Sequence, residues 1–414
     1  MNNKKDIAIV RDLAKRYAEI ANLPEQKEKI KLWSSLNSLK SRKPAVHFTF
    51  GMWNVWCRDV FGDDKMQCED PFYRNWERNF KMSIFHNESG DDTIYQPWIS
   101  MRADIAGGWD DLWNVHMGQT HTEDKGGAWK YDPPIKTWDD VKMLKKPVHN
   151  VDEKKTAENL SRLQGALGDI MPIDVSRTPA AMGFLGDIST CLAKLLGLEQ
   201  MMIYMYESPE ELHNLLSFMR DGILENQAAA EKAGHFSLTS HGSQEPTYCD
   251  ELKQPVPNSG SVKRKELMYF TAAQEYTLIS PAMHDEFLLQ YQLPILKNYA
   301  MSSYGCCENL TEKIDMLRKI PNLRTIAVTP TANVTKCVEQ IGDDYVMSWR
   351  PNPTDMVCGA WDEAKTRRIL TEGVKVLKGH HFCIHLKDVE TVEGDPTRLK
   401  KWVKIVREVL DENL

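Results

Sequence analysis

Two adjacent cysteines followed by a glutamate are the residues of this sequence best suited to chemistry. The apolar run that begins at Met301 ends at Cys306, and Cys307 and Glu308 follow it directly. Thiolate sulfur and carboxylate oxygen are both zinc ligands. Because neighbouring side chains diverge in an extended strand, both sulfurs can reach one ion only through a turn, which Gly305 permits. The pattern predicts a zinc site, and the alternative is a pair of buried cysteines at a strand end.

The remaining catalytic and ligand candidates follow other apolar runs. Glu275 comes after the run that ends at Ala273 and is a candidate zinc ligand or general acid and base. The alternative is a carboxylate that stabilises the amino end of the next helix. Glu390 follows the last run and is a further candidate ligand, while His241 is expected to line the pocket as a catalytic residue. Arg350 could clamp a substrate carboxylate or phosphate, or pair with a neighbouring acid.

Aromatic side chains dominate the candidate substrate contacts. The segment 45–140 holds most of the tryptophans, which indicates either a thick cap packed on the core or the wall of a pocket. The segment 242–262 is polar and rich in proline and glycine, so we expect a long functional or surface excursion there. The candidate substrate-binding residues are Trp53, Trp56, Tyr304, Trp349 and Asn352.

Eight short apolar runs alternate with amphipathic segments and must position these residues. The runs, each a predicted strand, are 93–97, 172–176, 236–241, 267–273, 301–306, 325–329, 345–349 and 382–386. Ser-Pro pairs at 208–209 and 280–281 combine an N-cap with a proline at the first helical position. Apolar strands separated by helices favour a parallel sheet covered on both faces, and eight such strands can close a barrel. We therefore predict an α/β fold, a (β/α)8 TIM barrel over residues 91–414, with a helical, tryptophan-rich elaboration over residues 1–90. Active sites of such barrels lie at the carboxyl ends of the strands.

The charge and the hydropathy of the chain argue against two classes of partner, nucleic acids and membranes. The chain has 414 residues, with 52 Lys and Arg against 59 Asp and Glu, and a net charge of -7. Without a basic field, nucleic-acid binding is not expected. No apolar run approaches the roughly 18 residues of a membrane-spanning helix, and the charged start is unlike a secretory signal. Nine cysteines are an odd number in a long chain, so most should be reduced. We expect a cytoplasmic protein with no membrane partner.

Three stretches resemble the uroporphyrinogen decarboxylase superfamily, and the resemblance covers about residues 90–412. That superfamily consists of (β/α)8 barrels, and it includes haem-pathway decarboxylases and cobamide-dependent methyltransferases that use zinc. The stretches are DVSRTPAAMGFLGDISTCLAKLLGLEQMMIYMYESPEELHNLLSFMRDGILE, AQEYTLISPAMHDEFLLQYQLPILKNY and SYGCCENLTEKIDMLRKI.

Departures from the family patterns place the chain nearer to a methyltransferase-like bacterial branch. The decarboxylases have an arginine-rich N-terminal segment, whereas here AVHFTFGMWNVWCRDVF contains one arginine, Arg58. The methyltransferases have His-x-Cys at a strand end, and this chain has Tyr304-Gly305-Cys306 instead. The resemblance then implies zinc held by substitute ligands, for which Cys307, Glu275 and Glu390 are the candidates.

The leading hypothesis is a zinc-dependent methyltransferase that moves a methyl group between a small methylated donor and a corrinoid carried by a partner protein. No D-x-H-x-x-G motif is present, so the corrinoid must come from elsewhere. Trp53, Trp56 and Arg350 would position the donor, and a homodimer is a possible assembly. One alternative is a decarboxylase or tetrapyrrole-handling enzyme, and another is a non-catalytic ligand-binding barrel. The arginines that a decarboxylase would use are Arg58, Arg102, Arg177 and Arg350.

Overall fold

The structure is a computed structural model that describes residues 3–51, 60–105, 111–123 and 129–414. The predicted substrate contacts Trp53 and Trp56 lie outside these ranges, as does Arg58.

A six-stranded parallel sheet forms the centre of the fold. The strands in chain order are β1 (Ala45–Phe50), β2 (Ile99–Arg102), β3 (Gly118–His121), β4 (Trp129–Asp132), β5 (Ile173–Ser176), β6 (Met268–Thr271), β7 (Met301–Tyr304), β8 (Leu323–Val328), β9 (Val346–Trp349) and β10 (Phe382–Val389). The sheet has the order β1-β10-β9-β8-β7-β6. A parallel pair, β2 and β5, and an antiparallel hairpin, β3 and β4, complete the ladders of the described residues. The predicted α/β class with parallel strands is therefore confirmed.

Eight parallel strands occur in the described ranges, but they form ladders of six and two strands. The segment between β5 and β6 contains the predicted strand 236–241. This segment is irregular and is joined to its neighbours by isolated hydrogen bonds, not by a ladder. Gly242 N donates to Met268 O at 2.9 Å, and the Thr239 hydroxyl donates to Asp174 Oδ2 at 2.6 Å. The ladders fit a TIM-like fold without showing a closed barrel.

Side-chain carboxylates bond the edge of β1 that faces away from β10. Val46 N donates to Asp92 Oδ2 at 2.7 Å and Phe48 N donates to Asp91 Oδ2 at 3.1 Å. Residues 93–97, which were predicted to form the first strand, follow these two aspartates and form a connection instead. Strand β1 itself lies within the segment 1–90, so part of that segment belongs to the sheet; the domain boundary remains a prediction.

Helices cover the sheet and bury its apolar side chains. They are α1 (Asn3–Ala21), α2 (Pro24–Asn37), α3 (Pro71–Asn87), α4 (Glu153–Leu167), α5 (Ile188–Leu196), α6 (Leu198–Glu207), α7 (Pro209–Lys232), α8 (Pro281–His284), α9 (Gln290–Leu296), α10 (Ile314–Leu317), α11 (Val334–Ile341), α12 (Pro353–Val357), α13 (Glu363–Leu377) and α14 (Thr397–Asn413). The largest apolar cluster includes Phe48 and Leu386 of the sheet with Leu370 and Trp402 of the helices. Among the described residues, no helix combines the length and apolar character that crossing a bilayer requires.

Candidate functional site

A buried ion pair lies on the inner side of the sheet. Arg350 follows β9, and its guanidinium lies 2.8 Å from Glu245 Oε1; the two side chains are only 3% and 4% exposed. The same oxygen accepts from the Ser348 hydroxyl, and His385 Nδ1 lies 3.3 Å from it. Burial opposes ionisation of Glu245, but the Arg350 charge and the His385 contact hold the pKa of Glu245 well below its usual range. The predicted alternative for Arg350, a pair with a neighbouring acid, matches this geometry.

Two histidines meet beside that ion pair. His47 of β1 and His385 of β10 are register partners in the parallel ladder, and their rings stack at 3.9 Å between centroids. Alternation along the two strands turns both rings to the same side of the sheet. Burial lowers the pKa of His385 to about 4 and holds the pKa of His47 well below its usual value, so both rings are neutral at pH 7. His385 Nε2 lies 2.9 Å from the Thr49 hydroxyl.

His47, Glu245 and His385 together form a set of donors that could hold a metal. One ligand atom from each lies within 4.8 Å of the other two, and all three residues are buried. Neutral imidazole nitrogen and carboxylate oxygen are donors that zinc and other first-row divalent ions accept.

The predicted cysteine pair lies at the carboxyl end of β7. Cys306 is buried and Cys307 is exposed, and their sulfurs are 3.4 Å apart. The turn that brings them together passes through Gly305, whose φ is 104°, a value that favours glycine. Glu308 accepts hydrogen bonds from the amides of Cys306 and Ala273, both at 2.7 Å. The carboxylate thus fixes the turn between β7 and the end of β6.

Two charged residues near the carboxyl end of β10 lie close to the exposed thiol of Cys307. Lys387 Nζ lies 3.6 Å from Cys307 Sγ, and Asp388 Oδ2 lies 3.8 Å from the same sulfur. The hydrogen bond with Cys306 and the Lys387 charge lower the pKa of Cys307 to about 7. The same hydrogen bond, together with burial, raises the pKa of Cys306. One thiolate and one thiol are the expected forms near neutral pH.

The two centres are adjacent. Gln244 Nε2 donates to Cys306 Sγ at 3.4 Å, and the next residue in the chain is Glu245. Arg350, which pairs with Glu245, also donates to the Cys306 carbonyl. The thiols therefore lie directly beyond the buried ion pair, at the carboxyl side of the sheet.

Glu275 belongs to a hydrogen-bonded group that does not include the two thiols. Ser189 Oγ lies 2.8 Å from Glu275 Oε2 and 2.7 Å from Asp187 Oδ2. Burial raises the pKa of Glu275, and burial together with the Glu275 charge raises the pKa of Asp187 to about 7. The structure gives Glu275 these partners and places neither sulfur in contact with it within the described ranges.

The other predicted site residues have structural contacts of their own. Tyr304 is buried, and its hydroxyl donates to Gln292 at 2.8 Å. Trp349 packs against Gly373 of α13, and the Asn352 side chain accepts from Thr354 N at the start of α12. His241 Nδ1 accepts from Met268 N, the first residue of β6, and Glu390 is exposed. Their roles in binding, catalysis or ligation stay predictions.

Sequence reasoning missed His47, Glu245, His385 and Asp187. Two of these are polar residues in apolar strands, where a buried histidine is itself a signal, because burial of an imidazole requires a partner. Glu245 lies in the polar segment 242–262 that was expected to be functional.

No family model matches the chain, and no curated protein is similar to it at a significant level. Among solved structures, a methyltransferase from Methanosarcina mazei superimposes with a TM-score of 0.53. The match covers 92% of this chain and 97% of that one, at 12% sequence identity. At that identity the likeness concerns the fold, which extends over nearly the whole of both chains.

Proposed function

We propose that this protein is a metal-dependent methyltransferase of the uroporphyrinogen decarboxylase superfamily, built on a closed (β/α)8 barrel. The observation that carries the proposal is the thiol pair Cys306–Cys307 at the carboxyl end of β7, with Lys387 beside it. The fold-level likeness to a methyltransferase and the resemblance in three stretches of sequence support the same reading.

The donor set at the thiols fits the zinc that the resemblance implies. Zn–S bonds of about 2.3 Å place two sulfurs on a tetrahedral ion about 3.8 Å apart. The 3.4 Å between the two sulfurs is close to that separation. Cys306, Cys307 and the nearby Asp388 would hold the ion, which differs from the predicted set because Asp388 takes the place of Glu275 and Glu390. When bound, zinc supplies a Lewis acid that stabilises developing negative charge on oxygen or sulfur.

Glu275 and Asp187 share one proton in this proposal. The Ser189 hydroxyl has a single hydrogen but lies within hydrogen-bond distance of both carboxyls. Only one of those contacts can use that hydrogen, so the other requires a protonated carboxyl. Asp187 Oδ2 also accepts from Thr190 N at 3.1 Å, which offsets part of the rise in its pKa that burial causes. The two carboxyls then hold one proton between them, and Glu275 can pass it from Oε2 to a departing oxygen or sulfur, the general-acid role predicted from its position.

The proposed reaction includes a small-molecule donor and a protein partner. The donor is a small methylated compound, the acceptor is a corrinoid on a partner protein, and a homodimer is a possible assembly. A planar donor such as a methoxyarene suits the aromatic segment 45–140.

The decarboxylase alternative has less support from the arginines it needs. Arg177 pairs with Glu153 at 2.8 Å, and Arg350 is committed to Glu245. Both cations already have carboxylate partners within the protein.

Elemental analysis of the purified protein tests the proposal first. We expect about one zinc per chain at the thiols, lost in a Cys306→Ser/Cys307→Ser variant and retained in the control Cys358→Ser, which changes a cysteine whose sulfur lies 3.0 Å from the Thr391 carbonyl. Wild-type protein presented with methyl donors should convert cob(I)alamin to methylcobalamin, followed by absorbance. Metal content that is unchanged in the double variant would contradict the thiol site. A complete lack of methyl transfer across donor classes would contradict the methyltransferase.

A further inference from the structure

We infer that His47, His385 and Glu245 form a second metal site, which takes a divalent first-row transition ion through nitrogen and oxygen donors. The site is separate from the thiol pair and does not depend on whether the protein transfers methyl groups.

The sheet itself assembles the donors. His47 and His385 are paired residues of neighbouring parallel strands, β1 and β10, which fixes both rings on the inner side at one level. Glu245 reaches the same level from the segment that precedes β6, and Arg350 and Ser348 orient its carboxylate. The three ligand atoms lie within 4.8 Å of one another without an ion to draw them together. Such preorganisation on strands favours binding, because little conformational freedom is lost.

An unsatisfied nitrogen points to a missing ligand. His47 is 3% exposed, and its Nε2 has no hydrogen-bond partner within the part of the chain that the structure describes. A buried polar atom without a partner has lost its hydrogen bond to water and gained none in return, which destabilises the folded protein. The neighbouring ring, His385, lies flat against it and offers it no hydrogen bond. A metal ion would use this lone pair and remove the penalty.

The carboxylate keeps capacity for an ion. Glu245 Oε1 accepts from Ser348 and Arg350 and lies 3.3 Å from His385 Nδ1, while Oε2 has one hydrogen-bond partner within the described residues, the Ser243 hydroxyl at 3.1 Å. A carboxylate oxygen has two lone pairs, so Oε2 can accept a further partner. The Arg350 charge partly offsets that of the carboxylate, so we expect an ion that a strong chelator removes.

The donor chemistry distinguishes this site from the thiols. Two imidazoles and a carboxylate select zinc, iron, cobalt or manganese without sulfur ligation, as in catalytic zinc centres with His2Glu ligands. Thiolate ligands give cobalt a strong sulfur-to-metal charge-transfer band in the near ultraviolet, which nitrogen and oxygen ligands do not give.

The test uses the full-length Cys306→Ser/Cys307→Ser variant, treated with a chelator and titrated with Co2+. We expect one equivalent of cobalt to bind with visible ligand-field bands and no sulfur charge-transfer band. Adding His47→Phe, which keeps a ring stacked on His385 but removes Nε2, should weaken binding at least tenfold. The control substitution His116→Ala, at an exposed histidine outside the cluster, should leave it unchanged. Equal cobalt affinity with and without His47→Phe would overturn the inference, as would the absence of any cobalt binding.

A second measurement needs no histidine variant. The same Cys306→Ser/Cys307→Ser protein loaded with Cu2+ should show two equatorially bound imidazoles by electron spin-echo envelope modulation. A spectrum without coordinated imidazole would overturn the site. Because the thiols are absent in both measurements, a failed thiol-zinc proposal and a failed histidine site give different results.

Discussion

Replacing Arg350 by methionine should destabilise the protein strongly, because it leaves the Glu245 carboxylate buried without its cation. The two side chains are nearly inaccessible, at 3% and 4% exposure, and the guanidinium also donates to Ser348 at 3.2 Å and to the Cys306 carbonyl. Loss of one partner of a buried ion pair costs about 3–5 kcal/mol, since the remaining charge keeps its desolvation penalty. We therefore expect Arg350→Met to lower the free energy of unfolding by about that amount at pH 7.

A double variant separates the charge effect from lost packing. In Glu245→Gln/Arg350→Met no buried charge remains, so at least half of the lost stability should return. Urea unfolding of chelator-treated protein, followed by tryptophan fluorescence and circular dichroism, measures both changes. A loss below about 1 kcal/mol in Arg350→Met would refute the reasoning, and so would a double variant less stable than the single one, because either result means that Glu245 is not held as a buried anion.

Further perturbations test the thiols, the carboxyl pair and the helix packing. In metal-free protein, alkylation of Cys307 should be half-maximal near pH 7, and Lys387→Met should move that midpoint to higher pH because it removes a cation beside the thiolate; an unchanged midpoint would show that the lysine is not close. Burial raises the pKa values of Glu275 and Asp187, that of Asp187 to about 7, so the pair keeps one proton in the folded protein that the unfolded chain gives up, and stability should fall as pH rises from 4 to 7. Asp187→Asn should flatten that fall, which amounts to at most about 4 kcal/mol, as measured by urea unfolding at several pH values. Gly373→Ala should destabilise by about 1–3 kcal/mol because its Cβ would lie 2.2 Å from a tryptophan ring, whereas Gly165→Ala, with no atom within 4 Å, should stabilise by up to about 1 kcal/mol. Equal effects at the two glycines would contradict the packing.

Local chemistry made several elements predictable from the sequence. The Ser-Pro pairs preceded helices, and α7 and α8 begin at Pro209 and Pro281. The apolar runs that became β6 to β10 were recognised because strands of a covered parallel sheet are continuously apolar. Gly305 was recognised as the turn that lets two adjacent thiols approach, and the sulfurs do lie 3.4 Å apart.

Contacts between residues that are far apart in the chain could not be predicted from sequence patterns. Strand β1 was overlooked because its alternation, with Phe48 on one side and His47 on the other, does not form an apolar run. The link between Glu245 and His385 joins residues 140 positions apart, and periodicity contains no information about that distance. Glu275 was correctly placed after β6, but its partner Asp187 comes from another part of the chain, so the shared hydrogen bond through Ser189 could not be foreseen.

The aspartates beside β1 have a consequence for association between molecules. An outermost strand normally presents unpaired amides that can recruit a strand from another chain. Here the Val46 and Phe48 amides are already occupied by Asp92 and Asp91. An incoming strand would have to displace two carboxylates, one of which also bonds His86 at 2.8 Å. Because both aspartates are buried and Asp92 also pairs with Arg407 at 2.9 Å, the amides at this border are satisfied within the protein and are not offered to a strand of another molecule.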